Sequence, residues 1–147
     1  VNKLITMYIG KYYHKLEEKG RVSLPKSFRS KDKDWVVTRG FDGGLAVYTK
    51  TRFEQMLLKL QDVSFTKKKN RDLTRLMTNE AVEVKTDASG RVQLPEYLTQ
   101  LAGLNKNLVV VGSYNHIEIW NLDRYHSYVQ KLEPSIEDIA ETYHDQE

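Results

Sequence analysis

One stretch of the sequence occurs twice, and this internal repeat limits the folds that the chain can adopt. EEKGRVSLP at 17–25 returns as DASGRVQLP at 87–95, an offset of 70 residues. WVVTRGFDGGLAVY at 35–48 is echoed by LVVVGSYNHIEIW at 108–120, where the offset grows to 72. Small insertions between strands are where repeated units normally differ. The sequence therefore predicts two copies of one supersecondary unit within 147 residues.

Each copy has the pattern of short strands joined by tight turns. Val22 and Leu24 alternate with polar residues directly after Gly20, which predicts a short strand following a turn. Pro25 then stands where a short helix would begin, and two more strands follow in each copy. Strands this short cannot enclose a core alone. We expect the copies to pair as one pseudo-twofold β-barrel.

Amphipathic segments surround the predicted strands. Thr51 and Glu54 form a capping-box pattern at the start of one helix, and Asn121 is the expected cap of its counterpart. A third helix is predicted from Ser135, and a helix with a basic outer face is predicted over 66–79. The expected fold class is therefore α+β, with peripheral helices around the barrel.

Charge falls steeply along the chain. Residues 1–53 carry 12 Lys and Arg against 5 Asp and Glu, whereas residues 87–147 carry 4 against 10. The basic end favours a polyanion such as nucleic acid as partner, and the acidic end favours contact with the basic part of another copy. On charge alone, two solvated faces are an equal alternative.

Several classes of protein lack their signatures in this sequence. There is no cysteine, the four histidines lack zinc-ligand spacing, and no nucleophile elbow or phosphate loop is present. No apolar run approaches the roughly 20 residues needed to span a bilayer. We therefore expect neither an enzyme nor a membrane protein, with no cofactor, metal site or small-molecule substrate, located in the cytoplasm.

The repeated turn contains residues suited to shaping it. Asp87 can accept a hydrogen bond from a backbone N–H two residues on, and Gly90 supplies a positive φ. In the first copy Glu17 and Gly20 take these places. Glu17 is one methylene longer and makes the turn bond less well, so we expect it to pair with Lys19 or Arg21 instead. All four are interpreted as turn-structuring residues.

An arginine follows each turn, as Arg21 and Arg91. A guanidinium can bind guanine O6 and N7 in the major groove, the commonest specific base contact; an exposed ion pair across the turn is the alternative. For Arg21 the base contact is favoured, because the surrounding sequence is basic, whereas Arg91 lies in the acidic half. The candidate DNA-binding residues are Lys11, His14, Lys15, Lys19, Arg21 and Arg91.

The sequence resembles the MraZ family of bacterial transcription regulators, whose halves are SpoVT/AbrB-like swapped-hairpin modules. The resemblance rests on MYIGKYYHKLEEKGRVSLPKSFR at 7–29, TRGFDGGLAVY at 38–48, DASGRVQLP at 87–95 and VVVGSYNHIEIW at 109–120. It implies a nucleoid-associated regulator of the promoter of its own cell-division and cell-wall gene cluster. It further implies binding to short G-rich direct repeats of double-stranded DNA, as a ring-like homo-oligomer.

The family signature Asp-x-x-x-Arg is present as Asp87 and Arg91, but Glu17 replaces the aspartate before Arg21. We therefore expect the N-terminal half to be the principal DNA-contacting one. An antitoxin-like or assembly protein with a protein partner remains the alternative. The expected organisation is an extension at 1–6, modules at 7–53 and 81–125, a helical connector at 54–80 and C-terminal helices at 126–147.

Overall fold

The computed structural model describes residues 7–29, 33–62 and 66–145, so the expected extension at 1–6 lies outside the described residues. These residues form eight strands, five α-helices and three single 3₁₀ turns. The strands are β1 (Tyr8–Lys15), β2 (Arg21–Ser23), β3 (Asp34–Arg39), β4 (Leu45–Thr49), β5 (Val82–Lys85), β6 (Arg91–Gln93), β7 (Asn107–Tyr114) and β8 (Ile117–Asn121). The helices are α1 (Lys50–Asp62), α2 (Lys68–Asn79), α3 (Glu96–Leu101), α4 (Leu122–Leu132) and α5 (Ile136–Asp145).

The main sheet has six antiparallel strands in the order β1-β7-β8-β4-β3-β5. The hairpin of each copy, β3-β4 or β7-β8, meets the other at the centre, where β4 pairs with β8. The first strand of each copy pairs with the hairpin of the other copy, β1 with β7 and β5 with β3. The copies are therefore swapped, and the predicted duplicated α+β fold is confirmed.

The remaining strands, β2 and β6, form a separate antiparallel ribbon. Val22 faces Val92 at its centre, so the pseudo-twofold axis passes between equivalent residues of the two copies. Both valines are fully buried and belong to the same hydrophobic cluster as the inner side chains of the main sheet. The ribbon therefore packs on the sheet and completes one shared core.

The sheet differs from the expected barrel in its hydrogen bonding. Among the described strands, β1 and β5 end the six-stranded ladder and are not paired with each other. A single bridge between Glu17 and Arg21 links the end of β1 to the ribbon. Side-chain packing of the ribbon, rather than a continuous ladder, closes the core, because strands of three residues are too short to span between the two edges.

Helices cover the outer face of the sheet. Val109, Val111 and Trp120 alternate with the inner side chains of β7 and β8, and they pack against Tyr125 and Tyr128 of α4. On the other half, Phe53 of α1 is buried in the equivalent place. No helix among the described residues has the length and apolarity that crossing a bilayer requires.

The N-terminal caps of α1 and α4 lie at equivalent positions of the two copies, and one predicted cap is corrected. Asn121 caps α4 as expected, since its Oδ1 accepts a bond of 2.9 Å from the Arg124 N–H. The predicted capping box at Thr51 is wrong, because α1 already begins at Lys50 and its cap is Thr49, whose Oγ1 accepts from the Arg52 N–H at 3.2 Å. Strand β4 runs straight into α1, which leaves no room for a later start.

Candidate nucleic-acid interface

The two repeated turns lie side by side because each is bonded to the other copy's strand. The Leu24 N–H donates to the Gly90 carbonyl at 3.0 Å, and the Leu94 N–H donates to the Gly20 carbonyl at 2.9 Å. Each turn is also closed internally, by Glu17 N–H to the Arg21 carbonyl and by Asp87 N–H to the Arg91 carbonyl, both at 2.9 Å. The ribbon therefore presents both turns on one edge of the molecule.

Glycine is required where the two copies approach each other. Gly20 has φ 74°, and a Cβ there would lie 2.6 Å from the Leu94 carbonyl oxygen. Gly90 has φ 81°, and a Cβ there would lie 2.2 Å from Cζ of Arg29. Arg29 is held over this turn by a bond of 2.9 Å from its Nε to the Leu24 carbonyl. A side chain at Gly20 would push the turns apart, whereas one at Gly90 would displace the Arg29 guanidinium and strain a backbone with positive φ.

The second turn is organised by Asp87. Its Oδ1 accepts from the backbone N–H groups of Ser89 and Arg91, each at 2.9 Å, and its Oδ2 accepts from Arg91 Nε at 2.9 Å. These bonds, led by the one from the Arg91 backbone, lower the pKa of the Asp87 carboxyl below its ordinary value. Asp87 therefore fixes both the backbone of the turn and the direction of the Arg91 side chain.

The first turn is built differently, because Glu17 does not bond its own backbone. Residues Glu18–Gly20 form a 3₁₀ turn in which Lys19 takes a left-handed conformation with φ 61°. The sequence suggested Lys19 or Arg21 as the partner of Glu17. Instead, Glu17 Oε1 accepts from Arg91 Nη1 at 3.0 Å, across the pseudo-twofold axis.

The two arginines consequently have opposite environments. Arg91 is bound by two carboxylates, Asp87 and Glu17, which raise the pKa of its guanidinium further above the ordinary value, Glu17 having the larger effect. Arg21 is half-buried, and its guanidinium makes no ion pair or side-chain hydrogen bond within the described part of the chain. One of two equivalent arginines is therefore neutralised, and the other retains its full capacity to bind an anion or a base.

Strand β1 separates the other candidate residues onto two faces. Lys11 and Lys15 are exposed on the outer face, with Tyr13 between them, and Lys19 is exposed in the turn. His14 points to the inner face and is half-buried, and burial is the main cause that lowers the pKa of its imidazole, with Arg29 contributing and Glu17 opposing. His14 is thus mostly neutral at physiological pH and is a weak phosphate ligand, unlike the three lysines.

Lys11 is the candidate furthest from this site. It lies on β1 opposite Val111. It lines a groove of about 480 Å³ whose other wall includes Asp123 of α4 and Glu133, the residue after that helix. The Tyr12 ring packs edge-on against the Phe28 ring, with the ring centroids 5.0 Å apart. The structure therefore groups Lys15, Lys19, Arg21 and Arg91 around the paired turns and leaves Lys11 and Tyr12 elsewhere.

The basic residues of α2 are partly engaged. Asp72 accepts from Lys68 at 2.6 Å and from Arg75 at 3.0 Å, and Arg71 donates to the Thr66 carbonyl at 2.8 Å. In the described ranges, no group of three or more His, Asp or Glu side chains has the arrangement of a metal site. Lys68 and Arg75 are thus paired with a carboxylate, whereas the exposed Lys69 forms no ion pair among the described residues, so α2 keeps part of its positive charge.

A family model described as "MraZ protein, putative antitoxin-like" matches the chain twice, over residues 7–76 and 77–146. The chain belongs to the MraZ family. The resemblance noted from the repeated motif is thereby confirmed, and the two matches are offset by 70 residues, as the turn motif is. The boundary between the two matches falls within α2. Each match therefore includes helices as well as strands, and this MraZ chain repeats both.

Two contacts of the site could not be predicted from the sequence. The Glu17–Arg91 ion pair joins residues 74 positions apart in the sequence. It forms only because each turn packs against the other copy. Arg29 lies over Gly90, although nothing in the two motifs that contain these residues indicates that they meet. Only the swapped-hairpin organisation expected of MraZ proteins indicated such contacts, since it brings each turn against the opposite copy.

Proposed function

We propose that this protein is a sequence-specific DNA-binding transcriptional regulator whose N-terminal turn makes the principal base contact. The proposal rests on one observation: Arg21 has no described ionic partner, whereas the equivalent Arg91 is bound by Asp87 and Glu17. The guanidinium of Arg91 is neutralised by two carboxylates that already use its Nε–H and one Nη1–H, so it is less available for the two parallel bonds that guanine O6 and N7 accept. Arg21 is free to form them.

The neighbouring lysines supply the second part of a DNA-binding surface. Lys15 and Lys19 are exposed near Arg21, and neither forms an ion pair within the described residues. Phosphate contacts by such lysines fix the register of a protein on the duplex, and base contacts add the sequence preference. Arg91 then acts as a structural tie that holds the first turn, through Glu17, in position.

The finer aspects of the proposed function come from the resemblance to MraZ regulators. The operator would be a set of short G-rich direct repeats in the promoter of the protein's own cell-division and cell-wall gene cluster, in the nucleoid. One turn contacts only a few base pairs, so a ring-like homo-oligomer is needed to engage several repeats together. In the proposed organisation, modules 7–53 and 81–125 form the shared DNA-binding body, and the connector 54–80 and the helices 126–147 lie around it.

Gel-shift titrations with the DNA upstream of the chain's own gene cluster test this function. We expect Arg21→Ala to abolish specific binding, since the loss of one bidentate base contact reduces affinity about five- to a hundredfold for each bound module. Arg91→Ala is the matched control at the equivalent position. It should retain sequence preference with weaker binding, because Glu17 loses the partner that holds the first turn.

Binding by the wild type should weaken steeply with salt, and the slope should be reduced in Lys19→Gln. Equal affinity for the promoter and for a scrambled duplex would contradict the proposal, as would specific binding that survives Arg21→Ala. If the chain instead binds a protein partner and no DNA, the antitoxin-like alternative is favoured. A light-scattering mass equal to one chain would separately exclude the ring.

A further inference from the structure

A second pair of equivalent sites lies where each hairpin turn meets a helix of the other copy. Arg52 of α1 donates from Nη1 to the Asn115 carbonyl at 3.1 Å, and Arg124 of α4 donates from Nη1 to the Gly43 carbonyl at 3.0 Å. The repeat offset of 72 relates both the arginines and the carbonyls. The adjacent turn residues Asp42 and Tyr114 also correspond, with φ 71° and 72°. The two corners therefore share one backbone plan.

The corner formed by α4 is filled by aromatic side chains. Trp120 packs so closely on Gly44 that a Cβ at that glycine would lie 2.6 Å from the indole ring, and Trp120 is only 2% exposed. The Tyr128 hydroxyl faces the Asp42 carboxylate of the turn, and burial together with this carboxylate raises the pKa of the phenol. Little space remains between this helix and the turn.

The equivalent corner formed by α1 is open. Tyr48 stands in place of Trp120, Met56 in place of Tyr128, His116 in place of Gly44 and Tyr114 in place of Asp42. The contact between Tyr128 and Asp42 has no counterpart here, because the thioether of Met56 cannot replace a tyrosine hydroxyl. A groove of about 620 Å³ results, lined by Tyr48, Arg52, Gln55, Met56, Leu58, Lys59, Tyr114, Asn115 and His116.

The walls of this groove have a defined chemistry. The Tyr48 and His116 rings are stacked at 5.2 Å and 24°, and His116 Nε2 lies 2.9 Å from Glu118 Oε2, which fixes the imidazole. Tyr114, exposed by 60% and held at a left-handed φ, forms an aromatic rim. The left-handed conformation is shared with Asp42 of the other corner, so the turn itself holds Tyr114 in this exposed position.

Charge adds to the aromatic character. Arg52 and Lys59 both line the groove, and no carboxylate is among its lining residues; Glu118, the partner of His116, is also bonded to Trp120 Nε1. The volume lies within the range of small-molecule sites, which are mostly apolar with a few polar groups. A flat ring would stack on Tyr48 or Tyr114, and an acidic group would meet Lys59.

We propose that this groove binds a small organic anion that contains an aromatic ring. The site is separate from the DNA-binding turns: it lies at the opposite end of β7, about 20 Å away along the strand, and it uses none of the same residues. The ligand is therefore an effector bound by the regulator and not a part of its DNA contact.

The full-length chain can be titrated with 1-anilinonaphthalene-8-sulfonate, an aromatic anion whose fluorescence rises on binding. We expect one saturable site per chain. The double variant Tyr48→Trp and Met56→Tyr gives the open corner the aromatic residues of the filled one, and it should no longer bind the dye. Its melting temperature and DNA affinity should stay near those of the wild type. Ile139→Ala, on an exposed apolar face of α5, is the matched control and should leave the titration unchanged.

A second pair of variants keeps the test independent of core packing. Leu58 is 62% exposed, so Leu58→Glu places a negative charge at the rim without disturbing buried residues. It should lower the affinity for the sulfonate about fivefold relative to Leu58→Gln, by like-charge repulsion, and should not affect the uncharged N-phenyl-1-naphthylamine.

Adenosine monophosphate and 4-hydroxybenzoate distinguish two sources of such a ligand. Displacement of the dye by the first assigns the groove to nucleotides, and displacement by the second assigns it to aromatic acids. Displacement by neither overturns the proposal, as does dye binding that survives the double substitution or that disappears in Ile139→Ala.

Discussion

A single substitution within the repeated turn explains why two equivalent arginines differ. Asp87 is short enough to bond its own backbone and to orient Arg91 from the same turn. Glu17 carries one more methylene, makes no such cap, and reaches across the axis to Arg91. Both carboxylates therefore bind the same arginine, and Arg21 is left without one. The structural asymmetry between the two turns begins at this residue.

Replacing Asp87 with Asn should make stability less dependent on pH. The pKa of Asp87 in the folded chain is below its ordinary value of 3.8, so its ionised form stabilises the fold above that pH and the contribution is lost as pH falls through the folded pKa. We expect wild type and Asp87→Asn to differ in their urea midpoints at neutral pH and to converge as pH falls through the folded pKa of Asp87, below 3.8.

Glu141→Gln, which removes an exposed carboxylate on α5, is the control for a general effect of charge. It should show no comparable convergence. A difference between Asp87→Asn and wild type that is unchanged across the whole pH range would contradict the assigned role of the ionised carboxylate.

At the scale of elements, the repeat is most regular where strands pass into helices. Thr49 and Asn121 are related by the offset of 72, and each caps the helix that directly follows its strand. The sequence pattern identified Asn121 correctly but placed the other cap at Thr51. Thr51 and Glu54 have the spacing of a capping box although they do not form one. Alignment of the two copies was the better guide here, since equivalent backbone positions require equivalent caps.

Removing each cap should destabilise the protein to a different extent. Loss of an N-cap costs about 0.5–2 kcal/mol. Asn121→Ala should lie at the upper end of that range, because Asn121 Nδ2 also donates to the Gly103 carbonyl at 2.8 Å, whereas Thr49→Ala loses only the cap bond at 3.2 Å. Chemical denaturation measures both values, and Thr51→Ala, at an exposed position of α1, should be nearly neutral. A greater loss in Thr51→Ala than in Thr49→Ala would contradict the assigned cap.

At the scale of the whole molecule, the exchange of first strands makes the two copies inseparable. Strand β1 completes the hairpin of the second copy, β5 completes that of the first, and one buried cluster contains side chains from both. The duplicated sequence predicted this shared core, because neither copy has enough apolar surface of its own. It did not predict that the ladder would stay open, because that depends on strand lengths that an alternating pattern leaves uncertain by several residues.

Neither copy should fold alone as a monomer. A fragment of residues 7–76 lacks the partner of β1, and one of residues 77–146 lacks the partner of β5. We expect each fragment to show little strand signal by circular dichroism at low concentration, and the equimolar mixture to recover the spectrum of the intact chain. A single cooperative unfolding transition should be seen for the whole protein. A folded monomeric fragment would contradict the shared core.

The pairing of β1 with β7 also has a consequence for the time course of synthesis. Tyr8 faces Tyr114, so β1 leaves the ribosome well before β7 and cannot be fully paired until the chain has been extended past residue 114. At translation rates of about 5–20 residues per second, that interval lasts on the order of 5 to 20 s. Throughout it, a strand with free hydrogen-bonding edges is exposed to neighbouring nascent chains. The spacing of ribosomes on the messenger is thus expected to affect the yield of correctly paired protein.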